Sequence, residues 1–199
     1  MKLFECQYCQ QPLYFESETC DSCGRRLGYL SELGVMSALE PDGDRWNALA
    51  DTANRYRFCE NNEHEVCNWM VLADSPETFC AGCRHNRTIP NLEIAENLPR
   101  WRKIEIAKHR LFYTILRLYL PHPTRTEDPE RGLAFDFLAA PAPSAPPVLT
   151  GHAEGLITLS LAEADDSERE RQRHAMGEPY RTLLGHFRHE MAHYYWDLL

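Results

Sequence analysis

Eight cysteines constrain this chain more than any other feature: Cys6, Cys9, Cys20, Cys23, Cys59, Cys67, Cys80 and Cys83, all within the first 83 of 199 residues. A C-x-x-C turn sets two thiolates on one side of a tight knuckle, and two knuckles complete a tetrahedron about Zn²⁺. Cys6-x-x-Cys9 and Cys20-x-x-Cys23 lie ten residues apart, and turn formers follow each (Gln10, Gln11 and Pro12; Gly24). The other four follow C-x₇-C-x₁₂-C-x₂-C, a looser pattern, but the count closes at two sets of four. His64 and His85 lie near the second set, and either could replace one thiolate; a surface role is expected for both.

Four disulfides would need an oxidising compartment. The N-terminus, Met-Lys-Leu-Phe-Glu-Cys, carries no apolar leader, so a cytoplasmic protein is expected. A redox C-x-x-C would need a βαβ context that these turn-rich segments do not offer. The expectation is two structural Cys₄ zinc sites. Segments of about 25 residues bury too little apolar area to fold alone, so metal binding supplies the folding energy.

Net charge is −9, with nine basic against sixteen acidic residues in positions 1–100. So acidic a chain is a poor generic binder of duplex DNA, where phosphate neutralisation dominates affinity. No apolar run approaches the roughly 18 residues of a membrane span. The one basic stretch, 100–117, holds six basic residues against Glu105 and is expected to be a solvated helix face. Trp101, Phe112 and Tyr113 interleave it, which admits single-stranded nucleic acid as a secondary partner through base stacking.

The fold class expected is α+β, with small zinc ribbons followed by a mostly helical, zincin-like C-terminal half. Three domains are expected: a Cys₄ ribbon over 1–30, a linker helix with a second Cys₄ module over 31–97, and a peptidase-like domain over 98–199. Within 31–58, Trp46, Leu49, Ala50, Ala53 and Tyr56 recur at helical spacing. Ile104, Ala107, Leu111, Ile115 and Leu118 predict a helix over 98–120, with Pro99 at its start and Pro121 after it. Residues 139–147 read as an Ala/Pro-rich linker, 155–161 as a strand, and 163–173 as a charged, solvated helix.

Chemistry concentrates at His189-Glu190-Met191-Ala192-His193, an H-E-x-x-H sequence. On a helix His189 and His193 sit one turn apart on one face, where their imidazoles can grip one Zn²⁺. Glu190 is then the general base that takes a proton from water and passes it to the leaving amine. A third ligand has no diagnostic spacing. Upstream candidates are His152, Glu154, Asp165, Asp166, His174 and His186. Asp197 lies too far along a straight helix, about 12 Å from position 189, and is expected to be solvated or to act indirectly.

The chain resembles bacterial zinc-binding metallopeptidases that carry an N-terminal zinc-ribbon region. The resemblance rests on the first two knuckles, on Cys67-Asn68-Trp69, on Cys80-x-x-Cys83, on Ala107-Lys108-His109-Arg110-Leu111, and on the string over 178–196 that contains H-E-x-x-H. It implies a cytoplasmic, gluzincin-like peptidase acting on a protein or peptide, with His189 and His193 on zinc and Glu190 as base. It also implies an acidic third ligand beyond Leu199, so that the chain reads as a truncated or processed piece with little activity of its own. The cofactors expected are two structural zincs and one catalytic zinc. The alternative is a zinc-ribbon binding module for protein or single-stranded nucleic acid, with no membrane association in either case.

Overall fold

The computed structural model describes residues 2–140, 148, 150–177 and 182–198. The chain divides into two compact units, Met1–Cys83 and Arg84–Leu199.

The first unit opens with two short antiparallel strands, β1 (Phe4–Glu5) and β2 (Pro12–Leu13). An antiparallel sheet of five strands follows in simple meander order: β3 (Leu27–Leu30), β4 (Val35–Asp42), β5 (Arg45–Ala48), β6 (Asp51–Phe58) and β7 (Met70–Leu72). Gly43 takes a positive φ of 64° in the two-residue turn between β4 and β5, a conformation that glycine adopts without a Cβ penalty. Leu30, Leu39, Ala48, Tyr56 and Met70 form its core, with Trp46 and Phe58 packed against them. Phe15, Tyr29 and Trp69 make a second cluster, with ring centroids 4.7 to 6.0 Å apart.

The helix expected within 31–58 is not there. Its apolar stripe belongs to β5 and β6, where Trp46 stands directly opposite Tyr56. The five residues Trp46, Leu49, Ala50, Ala53 and Tyr56 fit a helical period only because a tight turn at Leu49–Ala50 inserts two residues between two strands. Local order is fixed instead by the Asp51 carboxylate, which accepts from the Ala53 N–H and the Tyr56 hydroxyl.

The second unit is α+β and not mostly helical. Its four-stranded sheet runs β10-β11-β9-β8, built from β8 (Asn86–Thr88), β9 (Ala134–Leu138), β10 (Gly151–Ala153) and β11 (Leu156–Ser160). β9 is parallel to both of its neighbours, while β10 and β11 form an antiparallel hairpin. Among the described residues three α-helices accompany the sheet: α1 (Asn97–Arg117), α2 (Asp166–Met176) and α3 (Leu183–Leu198). The helix over 98–120 and the strand over 155–161 are present as expected. β9, Ala-Phe-Asp-Phe-Leu, is buried at four of its five positions, so it shows no inside–outside alternation to read. Residues 141–147 of the expected linker lie outside the described residues.

Phe112 of α1, Phe135 of β9 and Phe187 of α3 meet at the centre of this unit, with centroids 5.7 to 6.0 Å apart. The basic helix face is solvated as expected except at Lys108: Lys103 and Arg117 are exposed, and Arg100, Arg102 and Arg110 half-buried. Lys108 is fully buried against Glu105 at 2.8 Å, and Asn86 and the Trp101 indole also donate to that carboxylate. Trp101, Phe112 and Tyr113 are core residues, so the aromatic platform for single strands is sealed inside. A buried carboxylate with a full set of donors is tolerated where an orphan one is not.

The hairpin between β10 and β11 turns through Glu154 (φ 48°) and Gly155 (φ 80°) against the loop at Gly132. A Cβ on Gly155 would lie 2.6 Å from the Gly132 carbonyl oxygen, and the Arg125 guanidinium locks the same corner by donating to the Glu154 carbonyl. Gly155→Ala therefore combines left-handed strain with a backbone clash. It should destabilise this unit by about 1–3 kcal/mol, read as a shift in the denaturant midpoint at unchanged slope.

Candidate metal centres

The first two knuckles are near copies of one another. Gln10 N–H donates to the Cys6 carbonyl and Gly24 N–H to the Cys20 carbonyl, both at 2.8 Å. Cys6 N–H and Cys20 N–H close the loops onto the carbonyls of Gln11 and Arg25 at 2.9 Å. Gln10 and Gly24 both take the left-handed conformation, φ 64° and 71°, that reverses the chain after a C-x-x-C. Cys9 and Cys20 sulfurs come to 3.6 Å and those of Cys6 and Cys23 to 3.8 Å.

These separations fit a zinc tetrahedron better than a disulfide. Four sulfurs at 2.3 Å from one ion stand about 3.8 Å apart along each tetrahedral edge, whereas a disulfide brings its sulfurs to about 2.05 Å. None of the eight cysteines is joined in a disulfide. Cys59, Cys67, Cys80 and Cys83 converge in the same way, with 3.8 Å between Cys67 and Cys80 sulfurs. Cys67 Sγ accepts from the Trp69 N–H and Cys59 Sγ from the Cys80 N–H, both at 3.4 Å, which suits sulfurs carrying negative charge.

The two sets differ in exposure. All four sulfurs of the second set are buried, while Cys9 and Cys23 of the first are half-buried. Burial pushes the Cys67 and Cys80 thiols well above their ordinary value. The Gln11 backbone N–H holds Cys9 down at about 6, and burial raises Cys6 to about 11. His64 sits beside Glu63 at 3.1 Å and is absent from the second sulfur set. His85 is not a surface residue: it is 2% exposed, and its Nδ1 lies 3.0 Å from the Leu133 carbonyl.

α3 carries the H-E-x-x-H sequence. Phe187, Met191 and Tyr194 recur at helical spacing and are buried, which seats the helix in the second unit. The opposite face carries His189 and His193, both exposed, with half-buried Glu190 beside them. The two Nε2 atoms lie 3.1 Å apart. Two imidazole nitrogens on one tetrahedral Zn²⁺ stand about 3.3 Å apart, so the pair fits a shared ion with little adjustment. Residues 178–181 of the expected helix start lie outside the described residues.

Among the described residues, no third His, Cys, Asp or Glu joins His189 and His193 in a ligating set. The upstream candidates are engaged elsewhere. Asp165 pairs with Arg100 at 2.9 Å, Asp166 with Arg169, His174 with Glu170 and His186 with Glu163. Glu154 sits exposed at the hairpin tip. His152 accepts the Gly155 N–H at Nε2, which occupies that lone pair, and turns Nδ1 to Asp197 at 3.7 Å. Burial lowers the pKa of His152, so it stays neutral there. A cleft of about 510 Å³ opens beside it, lined by Arg125, Arg131, His152, Tyr194 and Asp197. Sequence reading missed Arg125 and Arg131, which have no motif spacing to α3.

Comparison with known proteins agrees with this donor chemistry. Residues 97–199 match the model of a family described as "Putative zinc-binding metallo-peptidase", and residues 3–94 match a zinc-ribbon domain. The chain is 42% identical over 195 residues to the uncharacterized proteins Rv2568c of Mycobacterium tuberculosis and Mb2598c of Mycobacterium bovis, covering 98% of this chain. It spans about half, 53%, of the length of these relatives. No solved structure matches it. No described helix is long and apolar enough to cross a membrane. The chain thus belongs to the family described as "Putative zinc-binding metallo-peptidase" and carries a zinc-ribbon region before the segment that matches it.

Proposed function

We propose that the chain contributes the metal-binding helix of a zinc-dependent peptidase that hydrolyses a protein or peptide. His189 and His193 hold the ion, and Glu190 is the general base. The observation that carries this reading is the 3.1 Å approach of the two Nε2 atoms on the exposed face of α3. Zinc bound there would polarise the scissile carbonyl and lower the pKa of a water. The chain's own residues do the rest. The buried side of α3 fixes the spacing of the histidines, Glu190 takes a proton at its carboxylate and returns it to the leaving amine, and the adjacent cleft receives part of the substrate. The eight cysteines hold two structural ions that fold the first unit.

Chelation orders these sites. The ion at His189 and His193 has two protein ligands and should leave first. The half-buried set of Cys6, Cys9, Cys20 and Cys23 should follow, and the buried set should leave last. The test is zinc released per chain against increasing chelator, in the parent and in His193→Ala. His193→Ala should lack the first-released equivalent and retain the other two. If it retains the labile equivalent, the ion was never on α3 and the reading fails.

A further inference from the structure

The cleft beside α3 holds hydrogen-bond donors that the fold leaves unmet. Its volume is about 510 Å³, and Tyr194, Asp197 and Leu198 bring α3 into its lining. Tyr194 is 2% exposed, and its hydroxyl is buried without a hydrogen-bond partner. Buried hydroxyls are rarely left so in native structures. His152 supplies a second donor. The Gly155 N–H donates to its Nε2 at 3.0 Å, so the proton of the neutral ring sits on Nδ1. Asp197 lies 3.7 Å from Nδ1, beyond hydrogen-bond reach, and the His152 side chain is only 5% exposed.

Arg131 supplies a third donor, and with it charge. Asp128 holds its backbone N–H, while among the described residues its exposed guanidinium makes no ion pair and no hydrogen bond. Arg125 differs. Its guanidinium is spent on the carbonyls of Pro129, Glu130 and Glu154, so it adds positive charge to the wall without a free fork.

Three unmet donors, one of them a cation, call for an acceptor-rich anion. A carboxylate offers two oxygens with about four acceptor positions, enough for all three. The cleft's own carboxylates limit how much charge that group can bring. Glu130, Glu154 and Asp197 are exposed, so solvent and salt screen them, but they still oppose an anion. They oppose a phosphate dianion about twice as strongly as a carboxylate. Asp197 follows His193 by four residues, one turn along α3, so a group held here lies close to the histidine pair.

We propose that Arg131, His152 and Tyr194 form a carboxylate subsite beside the metal-binding helix, which takes a carboxylate of the peptide substrate, from its C-terminus or from an acidic side chain. The substrate named here rests on the peptidase reading. The test is made by binding alone, so that the two can fail separately.

The whole chain carrying His189→Ala and His193→Ala, with its cysteine sites saturated by zinc, is titrated with short blocked peptides and followed by the NMR shifts of the His152 and Tyr194 rings. No ion can then sit on α3 and attract a carboxylate. N-acetyl-trialanine with a free C-terminus and N-acetyl-Ala-Glu-Ala amide are the two acids; N-acetyl-trialanine amide and N-acetyl-Ala-Gln-Ala amide are their neutral counterparts. At least one acid should bind about tenfold more tightly than its counterpart, and which one does so identifies the source. Arg131→Ala and Tyr194→Phe should each remove most of that preference with an unchanged circular dichroism spectrum, because the Arg131 side chain holds nothing in the fold and Phe keeps the buried ring. Asp197→Asn should tighten binding of the acid, since it removes a repelling charge. Acids that bind no better than their counterparts, full preference in Arg131→Ala, or inorganic phosphate that binds more tightly than either acid would overturn the proposal. Those results leave His189, His193 and Glu190 untouched, and a parental protein without peptide hydrolysis leaves the subsite untouched.

Discussion

Cys80→Ser is expected to release one zinc per chain and unfold the first unit, the largest stability loss that any single substitution here should cause. Cys80 is fully buried with Cys59, Cys67 and Cys83, and these four sulfurs tie the end of β6 to the start of β7 and to the 73–83 loop. Structural zinc in such modules is worth about 10–16 kcal/mol at neutral pH. A domain's whole margin is about 5–15 kcal/mol, so losing the ion exhausts it. Cys9→Ser should do less. Two of its four cysteines are half-buried, and it touches the five-stranded sheet mainly through Gln7, which hydrogen-bonds Met36 and Ala38 of β4, so the ion should be lost while most of the sheet keeps its amide protection. Zinc content and hydrogen exchange measured on both variants check this, and a Cys80→Ser protein with full zinc and parental melting would refute it. Acid should mimic the substitution. Burial pushes the metal-free Cys67 and Cys80 thiols well above the ordinary range, so each must lose a proton to bind, and affinity falls as pH falls.

Legibility in the sequence tracked how local each constraint was. The knuckles could be read because four residues and the left-handed residue after them fix a C-x-x-C turn, and Gln10 and Gly24 adopt that conformation. α1 and β11 could be read because each buries one face and shows its own period. The 45–58 segment misled because Trp46 and Tyr56 meet across a hairpin, a relation that mimics helical spacing when the turn is short. β9 was invisible because both its faces are buried, and the parallel pairing that buries them joins segments far apart in the chain. Within the basic run over 100–117 only Lys108 misled, for a different reason. Charge in a sequence implies solvent, yet Lys108 is satisfied inside by Glu105 and Asn86, a partnership only the fold creates. At α3 the sequence specified two histidines one turn apart on one helix face but not their surroundings. Arg125, Arg131 and His152 reach the neighbouring cleft from loops and a hairpin that share no period with the helix.

Glu190→Gln is expected to leave zinc and fold intact while lowering peptide hydrolysis by about 10²–10⁴-fold, the usual contribution of a general base. The amide is nearly the same size as the carboxylate and changes no ligand, so His189 and His193 keep their 3.1 Å approach. What is lost is the ability to accept a proton from water. The expected signature is a drop in kcat with little change in KM, because the step that fails follows binding. His189→Ala should give the other pattern, loss of the labile zinc together with activity, since one imidazole cannot hold the ion alone. The comparison is made in any preparation of the protein that hydrolyses peptides, with zinc per chain measured beside the rate. Glu190→Gln at parental rate would remove Glu190 from the chemistry and leave the histidine pair as a structural metal site. Glu190→Gln that loses zinc would instead place the carboxylate among the ligands, and the proton would then need another acceptor. Half-buried on α3 beside the two exposed histidines, Glu190 is within reach of either role, and the rate measured together with the metal content separates them.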